Sequence, residues 1–242
     1  MASEDLIDQF SDDQIERYAR QLVLPEIGTQ GQLALRAAHL AIIGCGGLGA
    51  NAALALAQAG VGKLSLYDPD RVEISNLHRQ PFTRNQVGQM KAQALAELCQ
   101  QRNPEVIAQA FAHPFHQNEA RQSAATIWLD CTDSDTSRRT IDRLRQPGVA
   151  LVFGAVIGMD AQVTVFAANQ PGFSTLFPTL PDKTMRQSCA EQGVLGPLAS
   201  LTAQMMAAEA LKLAQGVPST LHDHLMLIDA RDWRFNRIAK GA

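Results

Sequence analysis

Between residues 44 and 80 the chain carries glycines, carboxylates and guanidinium groups at spacings that suit phosphate chemistry. Gly44-Cys45-Gly46-Gly47-Leu48-Gly49 follows a short apolar run, His39 to Ile43, and leads into an alanine-rich stretch, Leu48 to Ala59. Glycines let a backbone approach phosphate oxygens, and the first turn of a helix offers N–H groups that have no partner within the helix. A glycine pattern of this kind is weak alone, since a tight turn without a ligand would look similar. Its place between a strand and a helix is what gives it weight. Asp68 closes the next apolar run, Leu64-Ser65-Leu66-Tyr67, where a carboxylate can accept hydrogen bonds from a ribose diol. Up to Asp68, a nicotinamide dinucleotide and ATP are described equally well.

The residues after Asp68 separate the two. Asp68-Pro69-Asp70-Arg71-Val72-Glu73-Ile74-Ser75-Asn76-Leu77-His78-Arg79-Gln80 is a polar cluster for which hydride transfer has no evident use. Cleavage of a triphosphate does have a use for it, because charge spreads over several oxygens and needs cationic donors around it. Arg79 and Lys91 are cationic, Asn76 offers neutral donors, and Arg20 is a further cation. Asp130-Cys131-Thr132-Asp133 closes another apolar run, Ile127-Trp128-Leu129, which puts Asp133 where ligands bind such sheets and where it could hold Mg²⁺. Each charged residue alone reads as a solvated side chain; their joint placement at strand ends argues otherwise.

These residues need a sheet to hold them. Strand-like runs at 39–43, 64–67, within 104–111, 127–129 and 149–153 alternate with helical stretches at 48–59, 86–101 and 137–144. That alternation predicts a Rossmann-like α/β fold, a mostly parallel sheet with helices on both faces. The pattern Gln162 to Phe166 and the runs Leu225–Asp229 and Trp233–Ile238 extend it with antiparallel strands. Ser11 starts one N-terminal helix and Gln30 to Ala37 forms another, with residues 1–10 read as a mobile acidic tail. Pro197 to Ala214 is a long apolar helix. The chain of 242 residues is read as one unit: an arm (1–37), a nucleotide-binding core (38–168), a loop rich in Pro, Ser and Thr (169–196), and a C-terminal helix with strands (197–242). A net charge of -3 gives no electrostatic case for nucleic acid or an anionic membrane. No apolar run is long enough to span a bilayer, and four scattered cysteines fit a reducing cytoplasm.

The runs RYARQ, IIGCGGLG, LYDPDRVEISNLHRQ, VGQMK, LDCTD, SCAEQGVLGPL and EALKL occur in an order that resembles the MoeB/ThiF/HesA family, bacterial relatives of ubiquitin-activating enzymes. The resemblance covers roughly Asp12 to Ile238. It implies an ATP- and Mg²⁺-dependent adenylyltransferase, homodimeric, that activates the C-terminal glycine carboxylate of a ubiquitin-like sulfur-carrier protein and releases pyrophosphate. Carried over, Gly44, Gly46, Gly47, Gly49, Asp68 and Asp70 belong to the nucleotide site. Asn76, Arg79 and Lys91 meet the phosphates, Asp133 serves Mg²⁺, and Arg20 reaches into the partner's site. Ser134 stands where asparagine is usual.

The family's structural zinc sits on two CxxC pairs. Here Gly172 and Thr175 replace the first pair, and the second would follow Arg237, so no zinc is expected. A structural zinc can supply ~10 kcal/mol or more in small modules, so packing must hold the loop from Asn169 to Gly196, which is expected to be less tethered than in zinc-bearing relatives. His113 with His116, and His222 with His224, read as ordinary loop histidines. Cys189 in Arg186-Gln187-Ser188-Cys189 is open to two readings, a nucleophile in sulfur transfer or a structural cysteine; Arg186 nearby would favour thiolate. Cys45, Cys99 and Cys131 read as packing. Any sulfur comes from a separate donor protein. The competing classes are a relative that adenylates a tRNA base or a peptide, an NAD-dependent oxidoreductase, and an inactive scaffold.

Overall fold

The structure, a computed structural model, describes residues 4–179 and 193–241. Eight strands form one sheet in the order β3-β2-β1-β4-β5-β6-β7-β8. β1 (His39–Ile43), β2 (Lys63–Tyr67), β3 (Ile107–Phe111), β4 (Ile127–Asp130) and β5 (Ala150–Ile157) are parallel. β6 (Asp160–Phe166), β7 (His224–Asp229) and β8 (Arg234–Ala239) continue the sheet antiparallel. β1, β2 and β4 are almost wholly buried and read as continuous apolar runs, as parallel strands covered on both faces do.

The chain winds outward from β1 to β3, then returns to β4 on the other side of β1. Ile43 therefore lies between Tyr67 and Asp130. Such a switch point is where ligands enter doubly wound sheets. α4 (Gly47–Gln58), α5 (Lys91–Arg102) and α9 (Gly196–Ala214) cover one face, around Leu56, Leu95, Leu198 and Met206. α7 (Asp135–Leu144) covers the other with two short helices, α6 (Gln117–Gln122) and α8 (Phe173–Leu176), around Trp128, Phe153, Ile141 and Phe173. α9 lies so close over β5 that a side chain at Gly154 would collide with the Met206 sulfur. Among the described residues, no helix is long and apolar enough to cross a membrane.

α1 (Glu4–Ile7), α2 (Asp12–Leu22) and α3 (Gly28–Ala37) form the N-terminal arm. A capping box starts α2: Ser11 Oγ accepts from the Gln14 N–H and the Gln14 side chain accepts from the Ser11 N–H. The expected mobile tail at 1–10 is corrected over its described part. Glu4–Ile7 is helical, Phe10 is buried, and Arg36 donates to the Gln9 carbonyl at 2.8 Å with its guanidinium 4.9 Å from the Phe10 ring.

Two further expectations change. The helix read from Gln86 begins at Lys91. Before it stand a 3-10 turn, Arg84–Gln86, then Gly88 in the left-handed region (φ 91°), then a bridge from Met90 to Arg71. The loop from Asn169 is not loosely held up to Thr175. Asp142 accepts from the Ser174 N–H at 2.9 Å, and a side chain at Gly172 would collide with its carboxylate. Arg139 donates to the Phe177 carbonyl at 2.6 Å, and Arg145 donates to the carbonyls of Phe166, Ala167 and Gln170. Phe153, Phe173 and Phe177 cluster with ring centroids 4.8–6.2 Å apart. The stretch that lacks the family's cysteines is thus tied to α7 by charge-assisted bonds and aromatic packing.

Candidate functional site

The glycine loop leaves β1 at the switch point. Gly44 adopts φ 92°, and a Cβ there would stand 2.9 Å from the Cys131 carbonyl oxygen, so only glycine fits without strain. A Cβ at Gly49 would collide with the Gly44 carbonyl. Gly46 is the N-cap of α4 and no side chain caps that helix, which leaves its first-turn N–H groups available. Beside Gly46 there is room: only the Gln80 Nε2, at 3.9 Å, would approach a Cβ.

Asp68 shapes this loop from below. Its carboxylate accepts from the Cys45 N–H at 2.7 Å and from the Asp70 N–H at 2.8 Å. Burial raises its pKa, against the lowering effects of Lys91 and those two N–H groups. Asp68 therefore already carries a structural duty that the sequence did not disclose.

The turn at 76–80 closes the site from above. Arg79 Nη2 donates to Asn76 Oδ1 at 2.7 Å, and Asn51 Nδ2 donates both to the Gly47 carbonyl at 2.6 Å and to the Arg79 carbonyl at 3.1 Å. The start of α9 leans on the same turn, since a side chain at Gly196 would collide with the His78 carbonyl. Gln80 is 7% exposed and its Oε1 is buried without a hydrogen-bond partner. Asn51 was not singled out from sequence because its two acceptors lie far apart along the chain.

Lys91, 8% exposed, pairs with Asp70 at 2.9 Å, so its charge is already met by a carboxylate. After β4 the two acids differ. Asp130 is fully buried: its Oδ1 accepts from Thr132 N and Oγ1 at 3.0 and 2.7 Å, while its Oδ2 has no partner. Burial pushes its pKa up to about 6. Asp133 is exposed and makes no hydrogen bond or ion pair among the described residues. Ser134 caps α7, its Oγ accepting from the Ser137 N–H at 3.1 Å. Arg138 reaches back to the Thr132 carbonyl at 3.1 Å.

The glycine loop, Asp68, Asp70, Asn76, Arg79 and Lys91 thus come together, and Asp133 stands on the neighbouring strand end. Arg20 does not join them. α2 packs against the far end of α4, where Gln21 donates to the Ala59 carbonyl at 3.0 Å, and Arg20 itself is exposed without a partner among the described residues. The twelve residues of α4 separate that end from Gly47 by about 18 Å. Cys189 and Arg186 lie outside the described residues. Cys45, Cys99 and Cys131 are buried and free, with thiols pushed up by burial. His116 is the N-cap of α6. Among the described residues no three His, Cys, Asp or Glu side chains cluster as a metal site.

A polyphosphate fits this arrangement. The loop leaves space at Gly46 where a Cβ would stand, and the N-terminus of α4 carries no side-chain cap. Asp133, exposed and unpaired at the β4 end, is a carboxylate free to hold a divalent cation bound to such a phosphate.

Comparison with known proteins gives a consistent picture. The model of the ThiF family matches residues 18–242. A sulfur carrier protein adenylyltransferase of Thermus thermophilus is 35% identical over 240 residues, covering 95% of this chain and 89% of that protein. An adenylyltransferase and sulfurtransferase, MOCS3-1 of Zea mays, is 37% identical over 236 residues, covering 94% of this chain; the chain spans about half (50%) of that longer relative. Among solved structures, E. coli MccB with MccA-N7isoASN superposes with a TM-score of 0.79 at 21% identity, covering 97% of this chain and 74% of that one. PaaA gives 0.78 at 23%, covering 96% and 75%. At those identities the likeness concerns the fold.

Proposed function

The chain belongs to the ThiF family, and from that premise we propose that it is an adenylyltransferase that uses ATP to activate the C-terminal glycine carboxylate of a ubiquitin-like sulfur-carrier protein. The observation that carries this reading is the convergence of an uncapped glycine loop, the Arg79 turn and the β4 end on one switch point. The Thermus thermophilus relative, 89% of which this chain covers, is named a sulfur carrier protein adenylyltransferase.

In this account a carrier carboxylate oxygen attacks the α-phosphorus of ATP. The bond from that phosphorus to the α,β-bridging oxygen breaks, and pyrophosphate leaves. No protein nucleophile is needed; positioning and charge stabilisation do the work. Asp68 accepts from the ribose hydroxyls while holding the Cys45 and Asp70 N–H groups in place. Gly46 and Gly47 admit the phosphates, and Gly44 and Gly49 allow the tight turn that presents them. Asn76 and Arg79 donate to them, and Lys91 exchanges its Asp70 partner for phosphate oxygen. Asp133 would hold Mg²⁺, which would neutralise charge on the triphosphate. Arg20, remote from its own glycine loop, serves the site of the second subunit in a homodimer. The whole chain, 1–242, acts as one adenylation unit in the cytoplasm, and a separate protein donates sulfur to the acyl-adenylate.

ATP–pyrophosphate exchange, measured against small proteins ending in Gly-Gly, tests the reading. Exchange that depends on such a protein is the expected result. Exchange dependent instead on a free peptide or a tRNA would move the acceptor to another class. Binding of NAD with no exchange would overturn the reading.

A further inference from the structure

Asn51 is the one polar side chain between Gly47 and Ala57 of α4, set among Ala50, Ala52, Ala53 and Leu54. Asparagine is a poor helix former, because its amide competes for nearby backbone groups. One turn into an alanine-rich helix, such a residue calls for a tertiary reason. The half-buried side chain supplies one. Its Nδ2 donates to the Gly47 carbonyl at 2.6 Å and to the Arg79 carbonyl at 3.1 Å. Both partners are carbonyl oxygens, so the amide nitrogen must be the atom that faces them. One side chain thus spans the glycine loop and the turn that carries Arg79.

That turn has little else to hold it. Ile74, Ser75 and His78 are exposed, and Leu77 packs it on the core. The other hydrogen bonds of residues 74–80 stay within 73–80. Among the described residues, the bond from Asn51 to the Arg79 carbonyl is the one that joins residues 74–80 to the chain beyond Glu73. The Arg79 guanidinium donates to Asn76 Oδ1 at 2.7 Å and to the Ser75 carbonyl at 3.4 Å, so it moves with the turn. Its stem already lies against the glycine loop: a Cβ at Gly47 would stand 3.4 Å from Arg79 Cγ and Cδ. We infer that Asn51 is a positioning residue: by pinning the Arg79 carbonyl to the start of α4, it holds the guanidinium and the glycine-loop N–H groups at the spacing at which both meet the same phosphates. The inference rests on the ATP reading of the site.

The test uses the full chain and two ligands, ATP with Mg²⁺ and adenosine, titrated by ligand-observed NMR, which suits weak binding. Asn51→Leu keeps the shape of the side chain and removes both donors; Asn51→Ala removes them with less bulk, so either variant can carry the test if the other folds poorly. In each, ATP should bind about tenfold more weakly, the fold-change that one hydrogen bond can supply. Adenosine, which has no phosphate, should stay within about twofold and serves as the folding control. Arg79→Ala keeps the carbonyl that Asn51 holds but removes the guanidinium. Adding Asn51→Leu to it should therefore change ATP affinity by less than about twofold, because the two residues act as a unit. Equal loss of ATP and adenosine binding would mark a general structural role and overturn the inference. So would full ATP affinity in both variants, or the same tenfold loss when Arg79 is already absent. ATP bound through Arg79 but indifferent to Asn51 would remove the positioning role alone. ATP bound no tighter than adenosine by the unaltered chain would remove the ATP reading, and the inference with it.

Discussion

Replacing Asp130 by asparagine should make the protein more stable near neutral pH. The carboxylate is fully buried, one oxygen is satisfied by Thr132, and the other has no partner. Burial is the leading cause that lifts its pKa from 3.8 to about 6. Between those values the folded chain holds a proton that the unfolded chain has released. Folding stability therefore falls as pH rises through that window, and the full loss persists above it. A rise from 3.8 to about 6 corresponds to ~3 kcal/mol. Asparagine keeps the acceptor for Thr132 and carries no charge, so the variant should gain about 1–3 kcal/mol at neutral pH. The gain should shrink toward zero below about pH 4, where both states of the parent are protonated. Urea unfolding of parent and variant at acidic, intermediate and neutral pH reads the difference directly, since every other titrating group is common to both. A variant no more stable than the parent at neutral pH, or a difference that does not change with pH, would refute the reasoning.

Other expectations are as direct. Asp142→Ala removes the acceptor for the Ser174 N–H and the charge beside Gly172; it should cost about 1.5–3 kcal/mol and speed proteolysis within residues 166–179. Gly49→Ala drives a methyl group into the Gly44 carbonyl and should destabilise the fold by about 1–3 kcal/mol or more while weakening ATP binding, which calorimetry can follow. Mixing Arg20→Ala chains with Asp133→Ala chains should restore part of the exchange activity, because one hybrid site holds both residues; no recovery would count against a shared site. Elemental analysis should find no stoichiometric zinc, and one firmly held zinc per chain would contradict the metal-free account of residues 166–179.

β1, β2 and β4 were legible because they are buried on both faces. Each reads as an apolar run that stops at a glycine or an aspartate, and β1 matched its expected bounds, 39–43. Short helices were not legible. α6 and α8 span too few turns for an apolar period to show, and α1 looked like a tail because the Arg36 and Phe10 contact that holds it is tertiary. At the site, sequence supplied the glycines and the charged residues but not their partners. It could not tell which of Asp130 and Asp133 is buried, that Asp68 braces the loop, or that Asn51 ties Gly47 to Arg79. Nothing local marks Asp142, Arg139 and Arg145 as partners of the loop, and only the fold brings residues from 166 onward against them.

The most direct test of the central claim is the intact mass of a Gly-Gly carrier protein after incubation with this chain, ATP and Mg²⁺. The account predicts a carrier bearing an adenylyl group on its C-terminal carboxylate, with pyrophosphate released in equal amount and no adduct with Asp133→Ala. A carrier of unchanged mass across a panel that includes its cognate partner, or an adduct that forms equally well without Asp133, would contradict it.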